Sequence, residues 1–207
     1  MARQTKNIRQ RDTFIVLTNG KETERNYFEA LRGFRHSIYD VKVKFINADP
    51  LGLVRRAIRE KSSSNQVWAV FDKDEFLSDA IDEAIHLAHE NKIGIAISNA
   101  AFEVWLINHF TEFNVEKTSG ELCQVLDVFL KNEGYSAGYA KNDSEVMRNL
   151  FLPKLDIAMH NASVSLQRRI AEYKQAHPFA TSYPYCNWNP CTTVHKLIEA
   201  MKLDSKE

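Results

Sequence analysis

The segment VWAVFDKDEF, residues 67–76, decides the fold, because its apolar run ends abruptly in Asp72 and Asp74, with Glu75 beside them. Such a run is typical of a parallel strand buried on both faces. Carboxylates at the carboxyl end of a strand lie where open α/β sheets place their chemistry. Two carboxylates there suggest a site for Mg²⁺, which prefers oxygen ligands. The alternative interpretation of this D-x-D pair is a solvated turn.

A strand and a helix are predicted upstream of this segment. TFIVLT, at Thr13–Thr18, is a β-branched and apolar run that stops at the turn signal Asn19-Gly20. Thr23 is a candidate N-cap for the helix that follows. The apolar face of this helix consists of Tyr27, Phe28 and Leu31, whereas Glu24, Arg25 and Glu29 are expected to point elsewhere.

The alternation of strands and helices continues along the first half of the chain. Alternation of this kind implies right-handed crossovers and a mainly parallel sheet. We therefore expect an α/β fold, with a mainly parallel four-stranded sheet flanked by helices and a mostly helical C-terminal half. The further predicted strands are 41–47 and 93–97, the helices are 49–61, 77–90, 100–110, 121–131, 144–151, 155–175 and 193–202, and residues 177–190 form an ordered loop.

The predicted organisation is a basic tail at residues 1–12 and one domain at 13–207. Within that domain, residues 13–113 would form the α/β core and 114–207 the helical extension. The 27 basic residues balance the 27 acidic ones, so no global field draws the chain to nucleic acid or to an anionic membrane. The odd number of cysteines, the lack of a secretory h-region and the lack of an apolar run of about 20 residues predict a cytoplasmic protein with no membrane association.

The loop after the first strand offers further polar groups at the same sheet edge. Gly20 would let the backbone approach a phosphate or a metal closely. Glu22 and Glu24 are either acids favoured by the start of a helix or, with Asp72 and Asp74, members of an acidic cluster. The sequence does not separate these two interpretations.

Glu103 is a third candidate, because AAFEVWLINHF is apolar on its other faces and a charge there is costly unless it is paired or ligating. The alternatives are a solvated stripe or an ion pair with Lys141 or Arg25. A second kind of metal site, for zinc, would need Cys186, Cys191 and His195, with His177 upstream, at a spacing that is not a standard one. The alternative is that the cysteines are ordinary buried thiols. Local basic clusters, which either bind phosphate or form solvated helix faces, are Arg55, Arg56, Arg59, Arg168 and Arg169.

Five segments, in this order, resemble the RloB-like family: FIVLTNGKETERNYFEALR, VWAVFDKDEF, AISNAAFEVWLINHF, GYAKND and NWNPCTTVHKLIEAM. The resemblance runs from the first strand to the last helix. It implies a topoisomerase-primase (Toprim) type of core that binds Mg²⁺ or Mn²⁺ for phosphodiester chemistry. It also implies a role in defence against phage, commonly beside an ATPase of the AAA or ABC type.

The resemblance also assigns site residues. The implied metal ligands are Glu24, Asp72 and Asp74, and the implied catalytic residues are these three with Glu103 and Lys141. Apart from the resemblance, our candidates for substrate binding are Asn19, Gly20, Lys21 and His195.

One position departs from the family pattern, since members usually have Glu-Gly after the first strand and this chain has Asn19 before Gly20. Asparagine offers a neutral oxygen to a cation but does not exchange a proton at neutral pH. From the resemblance we expect a metal-dependent nuclease that cleaves DNA or RNA as an effector of abortive infection. Asn19 then implies either that a nearby acid such as Glu22 or Glu24 replaces the usual glutamate or that the activity is weakened. The alternatives are a catalytically silent subunit that binds nucleic acid or a partner protein, and a nucleotidyl or phosphoryl transferase. Whether the chain forms a homo-oligomer is left open.

Overall fold

The strands of the central sheet are β1 (Thr13–Thr18), β2 (Asp40–Phe45), β3 (Asn65–Asp72), β4 (Gly94–Asn99) and β5 (Cys191–Thr192). They are taken from a computed structural model that describes residues 12–73 and 76–204. The strand order is β2-β1-β3-β4-β5. The first four strands are parallel and β5 pairs antiparallel with β4. Because β2 and β3 flank β1 on opposite sides, the strand order reverses at β1, which makes the β1/β3 boundary a topological switch point.

The mainly parallel α/β sheet is confirmed, but the predicted number of four strands is wrong. The fifth strand has only two residues, Cys191 and Thr192, which pair with Asn99 and Ser98 of β4. A strand this short has no alternation that a pattern search could detect. Its pairing depends on where the C-terminal part of the chain returns to the sheet.

The helices alternate with the parallel strands in the first half and dominate the second. A π-helical turn at Met147–Phe151 and a 3₁₀ turn at Leu152–Lys154 join the sixth helix to the seventh. No helix in the described ranges is long and apolar enough to cross a bilayer. Residues 1–11 of the predicted basic tail lie outside the described residues. The helices are α1 (Thr23–Phe34), α2 (Pro50–Glu60), α3 (Ser78–Glu90), α4 (Glu103–Ile107), α5 (Ser119–Asn132), α6 (Ser144–Val146), α7 (Leu155–Ala176) and α8 (Val194–Ala200).

Both faces of the sheet are covered, and β1 shows how. Its side chains alternate, so Phe14 and Val16 join one apolar cluster while Ile15 and Leu17 join the other. Helices α2 and α3 cover the face of Ile15 and Leu17. Helices α1, α4, α5, α7 and α8 contribute to the cluster on the opposite face.

The starts of α1 and α2 differ in how they are capped. Asp49 caps α2, because its Oδ1 accepts a 2.6 Å hydrogen bond from the Gly52 backbone N–H and Pro50 follows it. The prediction that Thr23 caps α1 is wrong. Thr23 is the first residue of that helix, the cap position is Glu22, and Glu22 makes no side-chain capping bond. The Thr23 side chain is buried instead, beside a tyrosine from a distant loop.

Candidate functional site

A pocket of about 300 Å³ opens at the carboxyl ends of β1 and β3, at the switch point of the sheet. Ligands of open α/β sheets bind in the crevice at this position. Loops and helices that are far apart in the sequence meet here, because β1, β3, α1 and α4 all converge on one edge. The lining residues are Asn19, Gly20, Lys21, Glu22, Thr23, Glu24, Asp72, Phe76, Phe102, Glu103 and Lys141.

Asp72, the last residue of β3, supplies a partly buried carboxylate to the pocket. Its Oδ1 atom is closed off from solvent and has no hydrogen-bond partner among the described residues. Burial raises the pKa of Asp72 well above its ordinary value, and the negative charges of Glu24 and Glu103 raise it further. The backbone of Phe102 and the charge of Lys141 act in the opposite direction but do not outweigh burial and repulsion.

Glu24 comes from the first turn of α1 and is 5% exposed. The prediction placed Glu24 off the apolar face of α1 without fixing its direction, and in the structure its side chain turns into the pocket. A Cβ atom built on Gly20 would lie 1.8 Å from Glu24 Oε2 and 2.1 Å from its Oε1. Glycine is thus the residue that leaves room for this carboxylate. Burial raises the pKa of Glu24, although its own backbone N–H partly counteracts this, and the charge of Glu103 raises the pKa again.

Glu103, at the start of α4, is 1% exposed and is held by two groups. The Tyr139 hydroxyl donates a 2.9 Å hydrogen bond to its Oε1, and Lys141 Nζ lies 3.4 Å from the same atom. The solvated-stripe interpretation of Glu103 is therefore wrong, and the ion pair with Lys141 is present. Burial of the Glu103 carboxylate is offset by these two contacts.

Lys141 is half exposed at the mouth of the pocket. Burial lowers its pKa, but the surrounding negative charges, first that of Glu103, outweigh burial and raise the pKa above its ordinary value. Lys141 is therefore a stable cation. The acids that line the pocket (Glu22, Glu24, Asp72 and Glu103) nevertheless outnumber its two lysines, Lys21 and Lys141. The pocket is anionic overall and favours a cation.

Sequence reasoning missed one polar side chain beside this pocket, that of Tyr139. Tyr139 belongs to the GYAKND segment, of which only Lys141 was singled out. Its hydroxyl lies 3.4 Å from Thr23 Oγ1 as well as donating to Glu103. Burial, followed by the charge of Glu103, raises the pKa of Tyr139, so the phenol stays protonated and remains a donor. The signal that could have found it is its position two residues before Lys141, which places both side chains in the same loop.

Of the other predicted site residues, His195 does not line this pocket, and one is not described. Asp74 lies outside the described residues. His195 is on α8, which packs against β4 and α7, and its side chain is 4% exposed in the interior. His195 therefore lies in the interior and apart from the pocket lining, and its assignment to substrate binding stays a prediction.

The other candidate clusters have different partners. Arg56 pairs with Glu60 at 2.5 Å and Arg168 with Glu112 at 2.6 Å, so each of these arginines has an acidic neighbour on the protein itself. The Cys186 thiol donates to Asp82 Oδ1 at 3.2 Å. Within residues 12–73 and 76–204, no group of three or more His, Cys, Asp and Glu side chains is arranged to hold a metal ion.

The donor set of the pocket still fits one hard cation. Mg²⁺ commonly keeps several waters and needs only one or two protein carboxylates. The unpartnered Asp72 Oδ1 and the buried Glu24 carboxylate are oxygen donors of this kind. A cation bound to them would also offset the repulsion among Glu24, Asp72 and Glu103.

One protein-family model matches almost the whole chain, and not the pocket residues alone. The family model described as RloB-like protein matches residues 14–201, which include every strand and helix named above except the first residue of β1. Neither the curated proteins nor the solved structures gave a match. The matched region contains the pocket residues from Asn19 to Lys141. The chain belongs to the RloB-like protein family.

Proposed function

We propose that the chain is a Toprim-like, Mg²⁺- or Mn²⁺-dependent nuclease that acts as an effector in bacterial defence against phage. The observation that carries the proposal is the meeting of Glu24, Asp72, Glu103 and Lys141 in one pocket at the switch point of a parallel sheet. Family membership supports the role in defence, through what the resemblance implies. The substrate is DNA or RNA, and an AAA- or ABC-type ATPase is the proposed partner.

The charge of the pocket explains why a metal is needed. A phosphodiester is anionic, and an excess of acids over lysines repels it. Asp72, Glu24 and the neighbouring Asp74 would hold the divalent cation. The chemistry that such an ion supplies when bound is polarisation of a phosphoryl oxygen and activation of a water nucleophile.

The protein groups have separate roles in this proposal. Lys141, a stable cation at the pocket mouth, orients the phosphate and offsets its charge. Tyr139 and Lys141 hold the Glu103 carboxylate in one orientation, facing the other two acids. Asn19 lines the pocket but cannot take up a proton. The proton of the nucleophile would therefore go to one of the acids that line the pocket.

Replacing Asp72 tests the proposal with the isosteric change Asp72→Asn. Purified protein is incubated with plasmid, single-stranded DNA, RNA and tRNA in Mn²⁺, with and without a partner ATPase. We expect cleavage by the wild type and a loss of at least about 100-fold in the variant, the scale on which a catalytic electrostatic group acts. The control is Asp79→Asn, which changes an exposed acid in the first turn of α3.

A second readout of the same variant does not depend on activity. Without metal, Asp72→Asn should raise the melting temperature by about 2–4 °C, because a buried and repelled carboxylate is removed. Added Mn²⁺ should then stabilise the wild type but not the variant. Equal stabilisation of both proteins by Mn²⁺, or unchanged cleavage by the variant, would contradict the proposal.

The alternative function is a catalytically silent subunit on the same frame, and Asn19 in the pocket lining is the observation that favours it. The change Asn19→Glu separates the two functions. Cleavage that appears only in this variant supports the silent subunit. Equal cleavage by the variant and the wild type supports an active nuclease in which another acid, such as Glu24, takes the role of the glutamate that the family usually has at position 19.

A further inference from the structure

A second cavity, of about 530 Å³, opens over the carboxyl ends of β3 and β4. It adjoins the acidic pocket, because Lys73 in its wall directly follows Asp72 and Ala100 is two residues before Phe102. Consecutive Cα atoms are about 3.8 Å apart, so the two openings are neighbours along one edge of the sheet. A polymer bound at the acidic pocket would pass over this cavity.

The charged groups of the second cavity cancel. Its two lysines, Lys73 and Lys117, are matched by Glu116 and Glu121, and Lys117 Nζ lies 3.1 Å from Glu121 Oε1. A cavity with this balance does not select a phosphate. It favours a ligand group that is polar and uncharged.

The amides in this cavity present both kinds of hydrogen-bonding group. Asn99 is 7% exposed and donates through Nδ2 to the Cys186 carbonyl at 2.7 Å, while no described residue donates to its Oδ1. Asn187 accepts from Ser78 Oγ at 3.0 Å through its Oδ1, while its Nδ2 has no acceptor in the described ranges. Asn189 Oδ1, which is buried, also has no hydrogen-bond partner among the described residues. The acceptor Asn99 Oδ1 and the donor Asn187 Nδ2, on an exposed side chain, form a donor–acceptor pair in the cavity lining. A neutral heterocycle with a donor and an acceptor on one edge, such as an unpaired nucleobase, matches this pair.

The loop that carries Asn187 also carries a group of aromatic rings. We call residues 177–190 the aromatic loop. Tyr183, Tyr185 and Trp188 pack against one another at ring-centroid distances of 5.6–6.3 Å, and Tyr173 of α7 lies 5.8 Å from Trp188. Each of these four rings is only partly buried. They form a partly exposed cluster at the surface.

Lysines lie beside two of these four rings, and Lys196 Nζ also donates a 3.2 Å hydrogen bond to the Tyr185 hydroxyl. Lys174 Nζ is 5.8 Å from the centroid of Tyr183, and Lys196 Nζ is 4.8 Å from that of Tyr185. Phe179, at the far part of the same loop, is 96% exposed. Rings interleaved with lysines are the combination that binds single-stranded nucleic acid, by stacking on bases and attracting the phosphates between them.

We propose that the aromatic loop and the second cavity bind a single-stranded segment of the nucleic acid that enters the acidic pocket, with one unpaired base in the cavity. The inference rests on the proposed nuclease function and narrows its substrate to single strands or to duplexes with an unpaired loop. A paired base has its hydrogen-bonding edge occupied and its faces covered, so a duplex offers neither group to this surface.

Fluorescence anisotropy with labelled 12-nucleotide oligomers tests this in EDTA, where no metal-dependent cleavage takes place. The probes are one mixed sequence as single-stranded RNA, single-stranded DNA and the corresponding duplexes. The variants are Lys174→Glu and Tyr183→Leu at the aromatic loop and Asn187→Ala in the cavity. We expect the wild type to bind the single strands more tightly than the duplexes, and each variant to weaken single-strand binding by about fivefold or more, since one stacked base contributes this much. The RNA and DNA arms show which sugar is preferred.

Matched controls are available on α5. The N-terminal end of this helix lines the cavity, and its C-terminal end lies about 20 Å away. Lys131→Glu repeats the charge reversal and Asn132→Ala repeats the amide removal at exposed positions there. Circular dichroism of every variant verifies folding. Controls that bind like the wild type are the expected result.

The outcomes separate this inference from the nuclease proposal. Single-strand binding that the loop variants lose, in a protein that cleaves nothing, supports the inference while the nuclease proposal fails. Cleavage by the wild type with unchanged binding by all three variants overturns the inference alone. Equal affinity for duplex and single strand overturns it as well. The inference is also overturned if the loop variants still bind the oligomers but no longer co-purify with the ATPase, because the aromatic loop would then be a protein-docking surface.

Discussion

At the scale of single residues, Gly20 controls the position of the Glu24 carboxylate. The change Gly20→Ala places a methyl group where that carboxylate lies, with separations of 1.8–2.1 Å that must open up. Glu24 is a flexible side chain and would move, so we expect the fold to survive while Mn²⁺-dependent activity falls by at least about tenfold, as a misplaced group costs.

The matched control for this change is Gly33→Ala, where an added Cβ meets nothing within 4 Å. Gly33 lies inside α1, so alanine there should stabilise the protein by about 0.5–1 kcal/mol and leave activity unchanged. Cleavage rates and urea unfolding of both variants check the prediction. Full activity in Gly20→Ala would show that Glu24 is not needed where it lies.

His195 gives the stability of the protein a dependence on pH. Burial lowers its pKa to about 4, and the charge of Lys196 acts in the same direction. The ordinary pKa of histidine is about 6.5, so between these values the unfolded chain binds a proton that the folded chain does not. The contribution to stability is complete above pH ~6.5, and the free energy of unfolding falls by about 1.4 kcal/mol per pH unit as the pH drops through this window.

The change His195→Asn should remove this contribution to the slope. Urea unfolding at pH 7, 6 and 5 measures the free energy of unfolding, and the variant should lose less stability than the wild type on acidification. His86→Asn, at a side chain that is 76% exposed, is the control and should keep the wild-type slope. Identical slopes in all three proteins would show that His195 titrates normally in the folded state.

At the scale of elements, Thr193 extends the pairing of β4 beyond the short strand β5. Its backbone N–H donates to the Ile97 carbonyl at 2.9 Å, and its Oγ1 accepts from the Ile97 backbone N–H at 2.9 Å. The change Thr193→Val removes the acceptor of the buried Ile97 backbone N–H, so we expect the free energy of unfolding to fall by about 1–3 kcal/mol. Thr111→Val, at an exposed threonine, should change it by less than about 0.5 kcal/mol. Urea unfolding of both variants is the measurement, and equal losses would contradict the role of Thr193.

The accuracy of the predicted elements follows the strength of their local signals. The strand at Thr13–Thr18 and the Asp49-Pro50 start of α2 are found as predicted, because apolar periodicity and capping act within a few residues. The predicted helix at 100–110 is reduced to Glu103–Ile107, since an all-round apolar segment lacks a stop signal. The misplaced cap at Thr23 has another cause: burial against Tyr139 competes with capping, and only the packed structure decides between them.

At the scale of the whole molecule, the C-terminal half completes the core of the N-terminal half. One apolar cluster contains Phe14 of β1 and Trp105 of α4 from the N-terminal half. The same cluster contains Leu126 of α5, Phe151 of the π-helical turn and Val194 of α8 from the C-terminal half. Removing the second half would expose these side chains to water. A fragment of residues 12–113 should therefore fail to fold alone, and the full chain should unfold in one cooperative transition.

Circular dichroism and thermal melting of the fragment and of the full chain check this expectation. A fragment without a cooperative transition agrees with a single domain at 13–207, the predicted organisation. A fragment that melts cooperatively with native-like α/β content would divide the chain into two folding units. Since β5 pairs with β4, the fragment would also leave an unpaired sheet edge and should aggregate.

The sequence by itself determined the parallel α/β plan and the acids at strand ends, because alternation, apolar runs and turn signals are local properties. It also identified Glu24, Asp72, Glu103 and Lys141 as a set, through the resemblance to a family. Only the tertiary structure decided that these four line one pocket, that Glu24 faces inward and that Tyr139 holds Glu103. The physical reason is that burial, charge repulsion and pairing depend on groups that are distant along the chain and meet only when the sheet, α4 and the Tyr139 loop pack together.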